Sequence, residues 1–328
     1  MPASAETDFL LEHGPAIEDA ARRIAGRVVR TPCLMPVDMP GVAVKPECLQ
    51  PTGSFKVRGA FNAMLSLLER RPDAPGIVTV SSGNHGQAVA YASRTLGLPA
   101  VVVMPETASP VKREAVLRLG ARVLSDGVTT ANREERFVEV VSDTGFEPIH
   151  PFDNWDVIHG QGTTGLEIAD QAPEATTVVV PIGGGGLVSG IVTALRHRGH
   201  GARVVGVEPA TADDARRSLA AGEVQSFDGG GSIADGALAR RIGERPAEVL
   251  LGERLVEDIV TVTDEELLDH LPRIWAQTRL LVEPTGALAL TAVLLGRVGA
   301  PAAGPMVAVV SGGNVDPRFV GELRGTDR

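Results

Sequence analysis

Short runs of β-branched and other apolar residues recur along this chain, each followed by a turn and then by a stretch that reads as helix. Ile77, Val78, Thr79 and Val80 precede a Ser/Gly-rich turn and a helical stretch over 87–96. The run 100–104 precedes a helix near 111–119, and Val123 and Leu124 precede another near 130–144. The run 178–182 leads into four glycines and an Ala/Leu-rich helix ending near His197, while 204–207 and 306–310 are further apolar runs. Strands that are apolar throughout and separated by helices predict a parallel sheet covered on both faces, so the chain is expected to be α/β. No repeat-length period appears. The Gly-rich stretch 219–236 reads as a long surface connection. Thr263 or Asp264 is expected to cap the helix that begins in Thr263-Asp264-Glu265-Glu266.

A length of 328 residues accommodates two domains, and 43% hydrophobic with 22% charged residues describes a folded globular chain. The net charge of −10 and the lack of a basic run exclude nucleic acid as a partner, because phosphate binding needs clustered cations. No apolar run approaches the length of a membrane span, and the acidic N-terminus lacks the order of a signal peptide. Cys33 and Cys48 form neither a disulfide framework nor a zinc spacing; they are expected to be small buried hydrophobes in a reducing cytoplasm.

Only three of the 31 basic residues are lysines: Lys45, Lys56 and Lys112. Arginine serves wherever a cation is enough, but it stays protonated and cannot attack an aldehyde. A lysine in a small polar turn can do so once its pKa falls. Lys56, within Pro51-Thr52-Gly53-Ser54-Phe55-Lys56, is the candidate for a covalent Schiff base with pyridoxal phosphate. Gly183-Gly184-Gly185-Gly186-Leu187 lies between an apolar strand and a helix, where bare amides and a helix start favour a phosphate; neither a P-loop nor a dinucleotide fingerprint matches. Ser81-Ser82-Gly83-Asn84-His85-Gly86 also joins strand to helix and reads equally as a carboxylate grip or a capping turn. Ser311-Gly312-Gly313-Asn314 follows the run 306–310, at the end of a strand where open α/β sheets bind ligands.

Taken together these segments resemble the fold-type II pyridoxal-phosphate enzymes, in particular the serine racemase and serine/threonine dehydratase group. The matching stretches are Ser54-Phe55-Lys56-Val57-Arg58-Gly59-Ala60, 81–86, Gly160-Gln161-Gly162-Thr163, 183–187, Glu208-Pro209, Ala234-Asp235-Gly236, Glu283-Pro284-Thr285 and 311–316. They follow the family's order and run from about residue 30 to residue 316. The resemblance implies two domains of open twisted sheets flanked by helices, like the tryptophan synthase β subunit. Residues 1–70 with 151–328 would form the large cofactor-binding domain. Residues 71–150 would form a small mobile domain carrying the substrate-carboxylate loop.

The resemblance also implies roles. Lys56 would hold the cofactor aldehyde and act as base at Cα. Gly183, Gly184, Gly185, Gly186 and Leu187 would bind the phosphate, Asn84 would lie against the ring hydroxyl, and Ser311 would meet the ring nitrogen. A serine hydroxyl there leaves the ring a poorer electron sink, which favours prompt elimination over transamination. Ser81, Asn84 and His85 would receive the substrate carboxylate, and Arg133 would approach its distal group. Ser82 would face Lys56 across the cofactor and permit racemisation. Glu208, the Ala212 carbonyl and Asp214 would hold Mg²⁺, Ca²⁺ or Mn²⁺. Phe152 and Trp155 depart from the racemase pattern and are expected to lie where the substrate side chain points. The reading is thus a cytoplasmic, homodimeric dehydratase that takes a small β-hydroxy amino acid such as L-threonine or L-serine to a 2-oxo acid and ammonia. Its alternatives are an amino-acid racemase, a threo-3-hydroxyaspartate dehydratase and a non-catalytic phosphate- or amino-acid-binding protein.

Overall fold

The computed structural model describes residues 5–81, 83–227, 229–299, 304–316 and 319–320. In chain order α1 (Ala5–Ile24) leads to β1 (Val42–Pro46) and α2 (Lys56–Arg70). Then come β2 (Ile77–Val80), α3 (Asn84–Leu96), β3 (Ala100–Val103), α4 (Pro110–Arg118), β4 (Arg122–Leu124), α5 (Arg133–Thr144) and β5 (Glu147–Pro148). The chain continues through α6 (Trp155–Gln171), β6 (Thr177–Pro181), α7 (Gly186–His197), β7 (Arg203–Pro209), α8 (Asp214–Ala221) and α9 (Glu244–Ala247). It ends with β8 (Asp258–Val262), α10 (Asp264–Thr278), α11 (Pro284–Leu294) and β9 (Met306–Val310).

The strands form two sheets, one of five in the order β1-β9-β6-β7-β8 and one of four in the order β4-β3-β2-β5. Every pairing within them is parallel. The expected α/β class holds, and the apolar runs are its strands: β2, β3, β6 and β9 are buried at every position. Successive strand residues feed opposite faces of the larger sheet. Val178, Val180, Val307 and Val309 join one core cluster, while Val179, Met306, Ala308 and Val310 join the other. The edge strands β4 and β8 are only partly buried and read weakly in sequence. Thr263 is the cap of α10, in a reciprocal capping box with Glu266. The stretch 219–236 is not a surface connection throughout. Its start belongs to α8, and its far end turns inward, with Ala234 fully buried ahead of a short helical turn at Asp235–Ala237.

One buried ionic cluster joins the start of α2 to β1 and α6. Arg58 donates to both oxygens of Glu47 at 2.7 and 2.8 Å and to both oxygens of Glu167 at 2.7 and 3.0 Å. Lys45 donates to Glu167 and to the Thr31 carbonyl, each at 2.6 Å. Arg58, Lys45 and Glu47 are 0% exposed. The helices meet closely enough that a Cβ on Gly160 would stand 2.6 Å from the Gly59 Cα, so α6 needs glycine there. Replacing Arg58 by Met leaves two buried carboxylates short of a partner. The expected loss, read from urea denaturation, is about 3–5 kcal/mol of stability.

Candidate active site

The two sheets present the carboxyl ends of their strands to one cavity, as open parallel sheets do. Segment 52–55 is held across it by the end of β9. Phe55 N donates to Ser311 O at 3.1 Å, Gly313 N to Gly53 O at 2.9 Å, and Asn314 Nδ2 to Thr52 O at 2.9 Å. Gly53 sits at φ +69°, a backbone state open to glycine, and this turn delivers Lys56 into the cavity beside Ser311. Lys56 Nζ donates to Pro151 O at 2.9 Å, and burial pulls its pKa down to about 8.

Gly184 lines the same cavity. A Cβ there would stand 2.2 Å from the Phe152 ring, and one on Gly185 would stand 2.7 Å from Pro246. The strand-to-helix turn therefore has room for glycine alone. Gly185 caps α7 with no side-chain hydrogen bond, so the first amides of that helix face outward without an internal acceptor. Some other helices have their first amides satisfied by side chains: Asn154 at α6, Thr263 at α10, and Glu208, which accepts from Ala215 N and Arg216 N at α8. An uncapped glycine start beside a low-pKa lysine fits a phosphate-bearing aldehyde such as pyridoxal phosphate.

Ser81, Asn84 and His85 also line this cavity at the start of α3, another helix without a side-chain cap. Asn84 Nδ2 donates to Glu283 at 2.6 Å, and its Oδ1 accepts from Asn314 at 2.8 Å, which fixes the amide's orientation. Ser82 lies outside the described residues. Burial holds the His85 pKa well below its ordinary value and brings His150 down to about 4, so both rings are neutral at pH 7. Burial first, and Asp235 among its neighbours, push Glu283 up to about 7, against the effect of Lys112. Arg133 reaches the cavity wall, paired with Glu134 at 3.6 Å.

The structure separates two residues that the sequence reading joined. Phe152 lines the cavity, edge-on to His150 at 4.6 Å. Trp155 does not reach it. Its indole stacks on His13 at 3.9 Å and on His159 at 5.8 Å, where α1 meets α6. Lys112, Asp235 and Glu283 were given no role in the sequence reading, yet Lys112 and Asp235 line the cavity and Glu283 holds Asn84. The scarcity of lysine was a usable signal for Lys112. Cys33 and Cys48 are free and half-buried rather than fully buried.

At the end of β7, Glu208 and Asp214 are each 1% exposed and Ala212 is fully buried. Asp214 Oδ2 has no hydrogen-bond partner. Burial, together with the Asp214 charge, pushes Glu208 up to about 8, and burial pushes Asp214 up to about 7. Among the described residues, no three His, Cys, Asp or Glu side chains group so as to hold a metal ion.

The family profile described as "Pyridoxal-phosphate dependent enzyme" matches residues 25–312. The chain is 36% identical over 310 residues to a serine racemase of Oryza sativa subsp. indica, covering 92% of this chain and 90% of that one. It is 37% identical over 313 residues to a beta-hydroxyaspartate dehydratase of Paracoccus denitrificans, covering 92% and 97%. Among solved structures, the T.th. threonine deaminase superposes with a TM-score of 0.86 at 42% identity, covering 92% of this chain and 98% of that one. The chain belongs to the pyridoxal-phosphate-dependent enzyme family, with fold type II architecture. It is an enzyme of the ammonia-lyase and racemase group.

The depressed lysine pKa sets a pH dependence. In protein stripped of cofactor, reaction of Lys56 with pyridoxal phosphate is expected to speed up as pH rises, with a midpoint near about 8, because only the neutral amine attacks. Borohydride trapping and mass spectrometry of the Lys56 peptide measure it. A midpoint near 10.5 would mean an amine in solvent.

Proposed function

We propose that this enzyme eliminates water from a small β-hydroxy amino acid, L-threonine or L-serine, releasing a 2-oxo acid and ammonia. The observation that carries the reading is the meeting, in one cavity, of the Lys56 amine, two uncapped helix starts and Ser311. When bound, pyridoxal phosphate supplies an aldehyde for the substrate amine and a ring that accepts charge from Cα. In this proposal Lys56, Gly183, Gly184, Gly185, Gly186, Leu187, Asn84 and Ser311 hold the cofactor. The first amides of α3, with Ser81, Asn84 and His85, take the substrate carboxylate. Neutral His85 keeps a second cation away from Lys56 Nζ, so that amine loses no further proton affinity. Lys56 Nζ, aimed by Pro151 O, removes the Cα proton, and the ammonium so formed returns a proton to the β-hydroxyl, which departs as water. Phe152 screens the site from solvent. Residues 71–150 move as one unit to close over the substrate.

A second reading, a 3-hydroxyaspartate dehydratase, draws on Arg133, a cation on the cavity wall suited to a second carboxylate. Racemisation would depend on Ser82. A panel of L- and D-serine, L-threonine and threo-3-hydroxyaspartate, scored together for 2-oxo acid and for enantiomer, separates the three. The proposal expects 2-oxo acid from L-threonine or L-serine; D-enantiomer with little oxo acid would sink it.

Two further features belong to the proposal. A divalent cation sits at Glu208, Ala212 and Asp214, away from the chemistry, where the unpartnered Asp214 oxygen invites a hard ion. Exposed Met35, Val37, Leu49 and Leu281 supply an apolar face for a second copy of the chain. Their segments are held together by the Gln277–Asp38 hydrogen bond and by the approach of Gly313 to Cys48 and Leu281. Free thiols at Cys33 and Cys48 suit a cytoplasmic setting. Chelator is expected to lower the melting temperature of the wild type and not of Asp214→Asn, and Val37→Asp to convert a sedimenting dimer to monomer.

A further inference from the structure

This chain uses lysine at three places only, and the structure gives each a confined setting. Lys45 lies in the buried ionic cluster, and Lys56 rises from the cavity floor. Lys112, in the first turn of α4, enters the same cavity from the other sheet. Its ammonium donates to Asp235, which opens the short turn Asp235–Ala237. That turn is tied to the larger sheet's helices, since Gly236 N donates to Thr285 Oγ1 at 3.0 Å in the first turn of α11. One ion pair thus joins α4, which packs on α3 and β4, to a turn fixed on the opposite side of the cavity.

Lys112 also backs the carboxylate turn. A Cβ on Gly83 would stand 3.4 Å from the Lys112 Cδ and 3.5 Å from its Nζ. A slim stem and compact ammonium fit there, whereas a planar guanidinium demands more room. The pair is lopsided: the Lys112 side chain is 14% exposed and that of Asp235 is 55% exposed. The cation is held in place, and its partner is free to turn toward water. On the far side of the pair lies a second cavity, lined by Ser109, Glu283 and Asn314 as well as by Lys112 and Asp235. The ion pair therefore stands between the two cavities.

We propose that Lys112 and Asp235 form a latch between the two halves of the enzyme, and that Lys112 is the positioning residue for Gly83, Asn84 and His85 at the start of α3, over the substrate carboxylate. The assignment of that helix start to the carboxylate rests on the function proposed above. The latch parts to admit substrate and re-forms behind it. Because the pair is partly solvated, opening costs little. The Lys112 charge then sits outside the turn and adds to the field that holds the carboxylate.

The test uses the holoenzyme and the variants Lys112→Met, Lys112→Arg, Asp235→Asn and the double variant Lys112→Met/Asp235→Asn. It reads kcat and KM for the preferred β-hydroxy amino acid. It also reads amide hydrogen exchange across 83–96 and 110–118 without substrate. Lys112→Met is expected to raise KM about tenfold with kcat within about threefold, the pattern of lost substrate positioning. The double variant is expected to match Lys112→Met, because two partners of one interaction do not add. Exchange in both segments should quicken with the melting temperature unchanged, and Lys112→Arg should recover part of the KM. An unchanged KM, an unchanged exchange rate, or additive losses would overturn the latch. If the wild type turns over no β-hydroxy amino acid, the function reading fails by itself, and hydrogen exchange still decides the latch.

Discussion

Arg58 anchors the helix start from which Lys56 enters the cavity. It lies two residues after Lys56 in the first turn of α2, and its guanidinium binds Glu47 after β1 and Glu167 on α6 in two bidentate pairs. A planar fork suits two carboxylates, and at 0% exposure neither helix nor strand can shift without stranding a charge. Lys45 neutralises the excess negative charge from the other side. With the start of α2 fixed this firmly, Lys56 emerges at a set height above the cavity floor. Rigid support of this kind keeps a reactive amine within reach of its partner.

The cavity combines that fixed amine with backbone that the chain leaves available. Helices α6, α8 and α10 have their first amides satisfied by Asn154, Glu208 and Thr263. Helices α3 and α7 begin at glycine without a side-chain cap, and both open on the cavity. An uncapped helix start favours an anion, and in the proposed function these two take the cofactor phosphate and the substrate carboxylate. Neutral histidines beside Lys56 keep its surroundings from becoming too positive. Were they protonated, the amine would lose still more of its proton affinity and work less well as a base.

Much of this was legible in the chain because it depends on local strings. Four glycines after an apolar run leave backbone amides bare of side chains, and Ser-Phe-Lys puts an amine at a helix start. Strand β8 and the two-residue β5 were harder to see, since their positions are only partly buried and carry less apolar signal. Trp155 was placed at the substrate pocket by its nearness in sequence to Phe152. The structure turns it toward His13 because it opens α6, and the two residues between them are enough to send the two side chains to different places. The Gly-rich 219–236 stretch looked like surface because its composition is that of a loop, yet Ala234 is buried against the core.

From sequence by itself came the parallel α/β class, and it singled out Lys56 and the glycine turn as candidates for the proposed site, since each follows from the period, the backbone freedom or the acidity of residues close together in the chain. Tertiary structure alone decided which distant side chains meet. Arg58 and Glu167 are 109 residues apart, Lys112 and Asp235 are 123 apart, and Asn84 and Glu283 are 199 apart. No local pattern encodes such pairs. They arise when helices from different parts of the chain are packed against shared sheets, and the geometry of that packing determines which charges are buried together.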